Sequence, residues 1–364
     1  MFVVFPLQYR TTPINMAKIT YRALLVIPFF LSAFDLVSCS ECLTTSLQKS
    51  QDCSNKKYLY FMTEGVSSGF GSEFNYYFVH ALLRGICENR RIVFVRSKRD
   101  WPYDCPSKSG WACYLDFPCP DSVIEFSAIE FSADNVIHQQ HGRNQDINQI
   151  KRDIKGLYES NSWGTSCDIH QATTTEITSI AAVYLYKLNN STRKSVDEFN
   201  SAYNLSSDHS YIAAQIRATD KRSEMDDESW AFMNNVTAIA EYIKPYLIDK
   251  NIKNLFISTD NCTVVSVFRL IFDKSLFRIY SACDDSRAHG DPHRGTYEQT
   301  LRLIAEIDML VKGRYFFGLI HSNLVRMVYR LRYFNNMQQS FVPFAQHSKQ
   351  YQSDHNLQLT NLIT

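Results

Sequence analysis

Residues 211–217 read YIAAQIR, a short apolar run that ends in an arginine. Comparable runs follow at 255–258, 277–281 and 315–319, and the segments between them show the apolar spacing of helices. Short apolar runs that alternate with helices are typical of a parallel sheet buried on both faces. Residues 207–336 are therefore predicted to form one Rossmann-like domain. Its predicted helices span 234–249, 263–272, 300–312 and 322–332.

The first half of the chain repeats the rhythm of strand, helix and strand. A β-like run at 57–62 precedes a helix at 72–87, and RIVFV at 91–95 predicts a second buried strand. A helical stretch at 171–206 closes this half, which spans residues 57–206. Two consecutive α/β halves predict two Rossmann-like domains that face each other across a cleft that holds the ligand.

Both ends of the chain are predicted to lie outside these domains. Residues 23–33 read ALLVIPFFLSA behind a basic flank, and this apolar run is short for a bilayer span. Residues 1–40 are therefore predicted to be a signal peptide or a signal anchor, with a buried core helix as the alternative. Residues 41–56 are predicted to be a linker. Residues 337–364 are polar and rich in Gln, Ser and His, which predicts a loose tail.

The cysteines and glycosylation motifs agree with a secreted or lumenal protein. No cysteine spacing is typical of structural zinc, so several disulfides are expected, above all within Cys105–Cys119. The N-x-[ST] motifs, taken together with the leader, favour lumenal exposure, although the motif after the predicted strand 255–258 is expected to be less accessible. These motifs begin at Asn189, Asn190, Asn204, Asn235 and Asn261.

The overall charge argues against one class of partner. Lys and Arg number 38 against 37 Asp and Glu, which gives a formal net charge of +1. A chain with this balance has no strong basic field to attract nucleic acid or an anionic membrane. We therefore expect no nucleic-acid partner.

The first segment suited to chemistry is 65–74, GVSSGFGSEF, between a predicted strand and a predicted helix. Gly69 and Gly71 would let the backbone come close to a ligand, and the helix N-terminus that follows favours an anion. The spacing does not complete G-x-G-x-x-G, because residue 74 is Phe. A tight turn without a ligand is the alternative.

The second segment is 215–221, QIRATDK, at the carboxyl end of the strand quoted first. Open α/β sheets bind ligands at this end. The guanidinium of Arg217 matches a diphosphate bidentately and can stabilise the charge on a departing nucleoside diphosphate. Glu224, beside these cations, could take a proton from a sugar hydroxyl. A solvated helix start, with Asp220 as its cap and Lys221 in its first turn, is the alternative.

The third segment ends at the start of the last predicted helix. Glu306 lies on the helix before it, and the run YFFGL then leads into His321, Ser322 and Asn323. Hydroxyl and amide groups at a helix N-terminus suit a phosphate or a ribose. An ordinary N-cap serine is the alternative.

Four stretches, in this order and spacing, carry a resemblance to a known family. They are SGFGSEFNYYFVHAL with RRIVFVRSKRDWPY, then WACYLDFPCPDS, QIRATDK and RGTYEQTLRLIAEIDMLVKGRYFFGLIHSNLVRMVYRLR. Together they resemble the α1,6-fucosyltransferase family, which adds core fucose to N-glycans and is similar to the bacterial nodulation fucosyltransferases. The resemblance covers roughly residues 57–335. It implies a GT-B-like fold, with the acceptor side in residues 57–206 and the donor, GDP-fucose, bound by residues 207–336.

The resemblance also implies an inverting transfer and roles for single residues. Arg217 falls on the family's essential first arginine and Lys221 on its lysine. Glu224, allowing a shift of one residue, falls on the proposed base. Glu306 falls on a donor-binding aspartate and Ser322 on a serine that contacts phosphate, while Asn323 falls on a glutamine. The donor-binding set predicted here is Gly69, Gly71, Gln215, Asp220, Glu306, His321, Ser322 and Asn323.

Three departures from the family pattern weaken the expected grip on the diphosphate. Gln215 stands where the family has His, Ala218 where it has a second Arg, and His321 where it has the first Ser. A charge-assisted hydrogen bond is worth roughly 1.5–3 kcal/mol. The loss of the second arginine is therefore expected to weaken donor binding or the stabilisation of the leaving group. No D-x-D occurs in the chain, so arginine rather than a metal ion is expected to balance the diphosphate.

The sequence thus predicts a transferase of the secretory pathway, held in the Golgi lumen by a signal anchor or secreted. It would move L-fucose from GDP-fucose to a glycan, most specifically in α1,6 linkage to the innermost GlcNAc of an N-glycan, without a cofactor. One alternative is an inactive homologue that binds GDP-sugar or glycan, which Gln215 and Ala218 favour. The other alternative is a protein O-fucosyltransferase.

Overall fold

The computed structural model of the protein describes most of both predicted halves. The described residues are 44–45, 47–62, 69–96, 105, 107, 110–117, 119, 122–125, 136–139, 174–203, 205, 210–218, 227–284, 296–320, 322–333, 337 and 340–344. The predicted leader at 1–40 and the glycosylation motif at Asn204 lie outside them. No helix in the described part of the chain is long and apolar enough to cross a bilayer.

The first half contains a four-stranded sheet whose neighbouring strands all run parallel, in the order β3-β2-β1-β4. Strand β2 is RIVFV, and every one of its residues is buried, as expected of a strand covered on both faces. The strands are β1 (Tyr58–Met62), β2 (Arg91–Val95), β3 (Val123–Ile124) and β4 (Val136–Gln139).

The second half contains a five-stranded parallel sheet in the order β7-β6-β5-β8-β9. Strand β5, which comes from the run YIAAQIR, is also buried throughout. The strands are β5 (Tyr211–Ile216), β6 (Asn254–Thr259), β7 (Arg278–Tyr280), β8 (Tyr315–Gly318) and β9 (Phe341–Pro343). The prediction of an α/β protein with two Rossmann-like parallel sheets is confirmed.

Helices connect the parallel strands. The segment after β1 begins with a short helical turn at Phe70–Ser72 and a π-helix at Glu73–Phe78 before it becomes regular. The α-helices are α1 (Val79–Cys87), α2 (Thr174–Leu185), α3 (Asn190–Ser201), α4 (Asp227–Asn234), α5 (Val236–Asp249), α6 (Cys262–Ile271), α7 (Tyr297–Lys312) and α8 (Asn323–Tyr333).

One apolar cluster draws buried side chains from both sheets. It contains Leu59 from β1, Ala213 from β5 and Phe316 from β8. The last helix adds Val325 on its inner face, and this helix packs against α2 of the first half. Burial of apolar surface stabilises a fold by about 25 cal/mol per Å², so this shared core helps to hold the two halves together.

Several elements differ from the sequence prediction. Residues 47–50 of the predicted linker are helical and Leu47 is buried there, and strand β3 was not predicted. Residues 234–249 were predicted as one helix, but the helix is interrupted at Asn235, whose side chain caps the N-terminus of α5. Strand β4 forms within a stretch that showed no clear periodicity. Strand β9 forms within the predicted tail and pairs with β8, because Phe341 and Phe344 are buried there.

Three disulfides are formed among the described cysteines. Cys105–Cys113 lies within the segment where a disulfide was expected. Cys53–Cys119 ties the chain before β1 to the chain before β3, and Cys262–Cys283 ties the start of α6 to the chain after β7. These bonds fit a protein of an oxidising compartment.

Candidate functional site

The carboxyl edge of the second sheet gathers the polar residues that the motifs single out. Strand β5 ends just before Arg217, and β6 ends just before Asp260. Gln215 on β5 lies in register with Ser258 on β6 and with Gly318 on β8. Because carboxyl ends of parallel strands meet at one edge, these residues lie together at the edge where open α/β sheets bind ligands.

Arg217 lies beside the carboxylate of Asp260. The distance from Arg217 Nε to Asp260 Oδ2 is 3.9 Å, and the two side chains are 25% and 14% exposed. Asp260 Oδ1 also accepts a hydrogen bond of 2.8 Å from the backbone N–H of Ala218. Asp260 therefore holds the turn after β5 and lies beside Arg217, whose side chain remains partly exposed to solvent.

Glu306 reaches the same edge from helix α7. Its Oε2 accepts a hydrogen bond of 2.5 Å from the hydroxyl of Ser258, which is itself buried. Loss of solvation raises the pKa of Glu306 to about 7, and the Ser258 hydroxyl and the charge of Arg302 oppose that rise. A carboxyl group so placed can accept or donate a hydrogen bond near neutral pH.

Two buried polar atoms at this edge have no hydrogen-bond partner among the described residues. They are Gln215 Oε1, on a residue that is 4% exposed, and Ser322 Oγ, on a residue that is 0% exposed. Buried polar atoms are nearly always satisfied, and a bound molecule is one way in which these two atoms could be satisfied. Ser322 begins helix α8 through its backbone, since its carbonyl accepts from Arg326, but its hydroxyl makes no cap bond within the described structure. The ordinary N-cap interpretation of Ser322 therefore does not account for this hydroxyl.

The two predicted glycines play different parts. A Cβ on Gly71 would lie 2.7 Å from Leu324 N and 2.8 Å from Asn323 O, so this glycine permits close packing against the start of α8 rather than approach to a ligand. Gly69 is exposed, and a Cβ added there would meet no atom of the described residues within 4 Å. Of the pair, only Gly69 leaves open space beside the backbone.

Asn75 fastens this contact from the π-helix. Its Nδ2 donates hydrogen bonds of 2.7 Å to the carbonyls of Gly71 and Asn323, and its Oδ1 accepts one of 2.8 Å from Arg330. The side chain is buried. Asn323 thus takes part through its backbone, and the start of α8 is fixed relative to the helix after β1. Departures from α geometry of this kind often occur at functional sites.

Four predicted site residues cannot be placed. Asp220, Lys221, Glu224 and His321 lie outside the described residues, so their roles stay predictions. The described members of the predicted set are Arg217, Gln215, Glu306, Ser322, Asn323, Gly69 and Gly71. No group of three or more His, Cys, Asp or Glu side chains with the arrangement of a metal site occurs in the described part of the chain.

Sequence reasoning missed three residues of this region. Asp260 follows β6 just as Arg217 follows β5, so the rule for carboxyl ends could have found it. Ser258 lies in the strand itself, and only the register of β5 and β6 brings it to Gln215. Asn75 carried no signal, because its importance comes from an irregular helix turn.

Comparison with known proteins gives structural neighbours at low identity. No protein-family model matches the chain, and no curated protein matches it. The chain is similar to the structure of an Arabidopsis thaliana FUT1 mutant in complex with GDP, at 12% identity and a TM-score of 0.45, over 83% of this chain and 73% of that one. It is also similar to POFUT1 in complex with GDP-fucose, at 12% identity and a TM-score of 0.47, over 80% of this chain and 98% of that one. POFUT1 in complex with GDP gives a TM-score of 0.46 at 12% identity, with the same coverage of both chains.

Proposed function

We propose that the protein is a glycosyltransferase that transfers L-fucose from GDP-fucose to a glycan with inversion. The acceptor we propose is the innermost GlcNAc of an N-glycan, in α1,6 linkage, in the lumen of the secretory pathway. The order of the four sequence stretches supports this specificity, and the three disulfides fit that compartment.

One observation carries the proposal. A partly exposed guanidinium, Arg217, and two buried atoms without a partner among the described residues, Gln215 Oε1 and Ser322 Oγ, belong to one sheet edge. Diphosphate oxygens would accept from Arg217 and from the Ser322 hydroxyl, while Gln215 Oε1 would accept from a hydroxyl or N–H of the donor. Charge that develops on the departing GDP would be stabilised by the guanidinium.

The carboxylate chemistry completes the proposed reaction. Glu306, with its pKa raised to about 7, is suited to bind hydroxyl or N–H groups of the donor. Glu224 would take the proton from the acceptor hydroxyl as that oxygen attacks the anomeric carbon and GDP leaves. Arginine, rather than a bound metal ion, supplies positive charge at the diphosphate in this proposal.

Turnover of labelled GDP-fucose tests the proposal. The full chain, expressed in a eukaryotic secretory host, is incubated with a panel of N-glycans and read by mass spectrometry. We expect fucosylated product that Arg217→Ala abolishes and that Arg278→Ala leaves unchanged, because Arg278 is exposed at the opposite edge of the same sheet. Equal turnover by Arg217→Ala and the parent protein would refute the role of the guanidinium.

A donor-binding protein without transfer activity is the second candidate. Ala218 leaves Arg217 as the motif's single arginine, and the Asp260 carboxylate at 3.9 Å offsets part of its charge. Calorimetry separates the two candidates, since tight GDP binding with no turnover on glycans, glycopeptides or folded protein acceptors supports the binder. Turnover on folded proteins alone would instead support a protein O-fucosyltransferase.

A further inference from the structure

The glycosylation motifs of this chain differ in how the folded protein uses their asparagines. Four of the five Asn-x-Ser/Thr asparagines lie in the described residues, and all four lie at helix N-termini. An N-glycan attaches to Nδ2, so a compatible asparagine needs that nitrogen free and facing solvent, whereas its Oδ1 can keep a hydrogen bond. This distinction separates Asn189 from the other three, and the degree of exposure separates Asn261 from Asn190 and Asn235.

Asn189 and Asn190 share overlapping motifs, N-N-S and N-S-T. Asn189 is the N-cap of α3, and both ends of its side chain are occupied. Its Oδ1 accepts from Thr192 N at 2.8 Å, and its Nδ2 donates to the carbonyl of Cys113 at 2.8 Å. A glycan on Asn189 would attach to the same nitrogen that donates to the Cys105–Cys113 loop, and Nδ2 would keep only one hydrogen for that bond. Asn190, the next residue, is exposed at the first position of the helix.

Asn235 is exposed at the break between α4 and α5. Its Oδ1 accepts from the backbone N–H of Ala238 at 3.0 Å, which caps α5. Attachment of a sugar to Nδ2 leaves this acceptor in place, so the cap survives the modification. Asn261 caps α6 in the same way, since its Oδ1 accepts from the backbone N–H of Thr263 at 3.0 Å. It differs from Asn235 in that it is only partly exposed.

We infer that Asn190 and Asn235 carry N-linked glycans and that Asn189 and Asn261 do not. In the reaction the amide Nδ2 loses one proton and forms a bond to C1 of the first sugar. The bond from C1 to the lipid diphosphate of the host's lipid-linked oligosaccharide breaks, and the lipid diphosphate leaves with the electron pair. The inference depends on passage through the secretory lumen and not on GDP-fucose chemistry.

The overlapping motifs supply a matched pair of variants. Ser191→Ala removes only the Asn189 motif, and Ser191 is exposed. Thr192→Val removes only the Asn190 motif, and it is expected to fold because Thr192 Oγ1 is buried without a partner among the described residues. Asn235→Asp removes the side-chain amide to which the glycan at this position would be attached, and aspartate is still a good N-cap residue.

The test is peptide mapping of the full chain from a eukaryotic secretory host, before and after enzymatic release of N-glycans. We expect glycopeptides at Asn190 and Asn235, retention of the first in Ser191→Ala, its complete loss in Thr192→Val, and loss of the second in Asn235→Asp. A glycan on Asn189 or Asn261, or bare amides at both Asn190 and Asn235, would overturn the inference. A catalytically dead protein would give the same map, so this result is separate from the assay of transfer.

Discussion

The hydroxyl of Ser258 donates to Glu306 Oε2 over 2.5 Å and so ties strand β6 to helix α7 at the carboxyl edge of the second sheet. The carboxyl group is largely shielded from water, and this loss of solvation raises its pKa from 4.5 to about 7. The Ser258 hydroxyl and the charge of Arg302 favour the ionised form and limit the rise. Protonation of Glu306 is therefore coupled to the stability of this edge of the second sheet.

Stability should fall as the pH rises between the two pKa values of Glu306. Below about 4.5 the carboxyl is protonated in both states; between 4.5 and about 7 the unfolded chain ionises first, which weakens the folded state by roughly 3 kcal/mol in total. Glu306→Gln stays neutral and can still accept from Ser258. Urea unfolding at about pH 5 and about pH 7.5 should show the parent losing more stability than Glu306→Gln. Identical pH dependence of the two proteins would contradict the assignment.

Removal of the Ser322 hydroxyl should weaken donor binding without loss of stability. Because Ser322 Oγ is buried and unsatisfied within the described structure, Ser322→Ala removes no hydrogen bond of the described residues, so we expect little change in stability. A hydrogen bond to a charged phosphate is worth about 1.5–3 kcal/mol, so GDP affinity should fall about tenfold or more.

Thr192→Val is the matched control for Ser322→Ala, since Thr192 Oγ1 is also buried without a partner among the described residues but lies on α3. It should leave both the melting temperature and the GDP affinity unchanged. Calorimetric titration with GDP and thermal unfolding provide the two readouts. A large loss of stability in Ser322→Ala with intact GDP affinity would show that the hydroxyl is structural.

The two glycines before the π-helix should respond very differently to a methyl group. Gly71→Ala places Cβ 2.7–2.8 Å from the backbone of Asn323 and Leu324, and backbone cannot move aside as a flexible side chain does. Overpacking of this kind costs about 1–3 kcal/mol, measured as a shift in the denaturant midpoint. Gly69→Ala, whose Cβ meets no atom of the described residues within 4 Å, should change the free energy of unfolding by under about 0.5 kcal/mol. Equal effects would show that α8 does not pack as described.

Asp260 should be replaceable by an amide but not by a methyl group. Its Oδ1 accepts from the backbone N–H of Ala218 at 2.8 Å, and Asp260→Asn keeps an oxygen there. Asp260→Ala leaves that donor without its side-chain acceptor, at a cost of about 1–2 kcal/mol in the free energy of unfolding. Urea unfolding of both variants measures the difference. Equal stability of the two would mean that the bond does not hold the turn after β5.

The strands that carry the candidate site were the easiest elements to predict. The runs at 211–217, 255–258 and 315–319 form β5, β6 and β8 to within a residue, because strands buried on both faces need continuous apolar sequence. Strands β3, β4 and β9 were not predicted. Each is too short to show a periodic pattern of its own, so only its partner strand specifies it.

Residues of the candidate site could be predicted only where their position along a strand determines their position in the fold. Arg217 and Gln215 lie at the end of a strand, and that end faces ligands in open sheets. Gly71 shows the limit of such prediction. The sequence indicates that its backbone lies close to another group, but it does not show that this group is the start of α8. The hydrogen bond between Ser258 and Glu306 joins residues 48 apart and depends on tertiary packing that no local pattern encodes.

The Cys262–Cys283 bond closes its loop two residues beyond Asp260, so the clasp lies next to the carboxylate that faces Arg217. In a reducing compartment this disulfide would be reduced, and the end of β6 would lose a covalent restraint. Protein prepared in a reducing cytosol would lack this disulfide, whereas protein from an oxidising lumen would contain it. The two preparations are therefore expected to differ in their affinity for the donor. The redox history of a preparation becomes a variable that any measurement of GDP binding has to control.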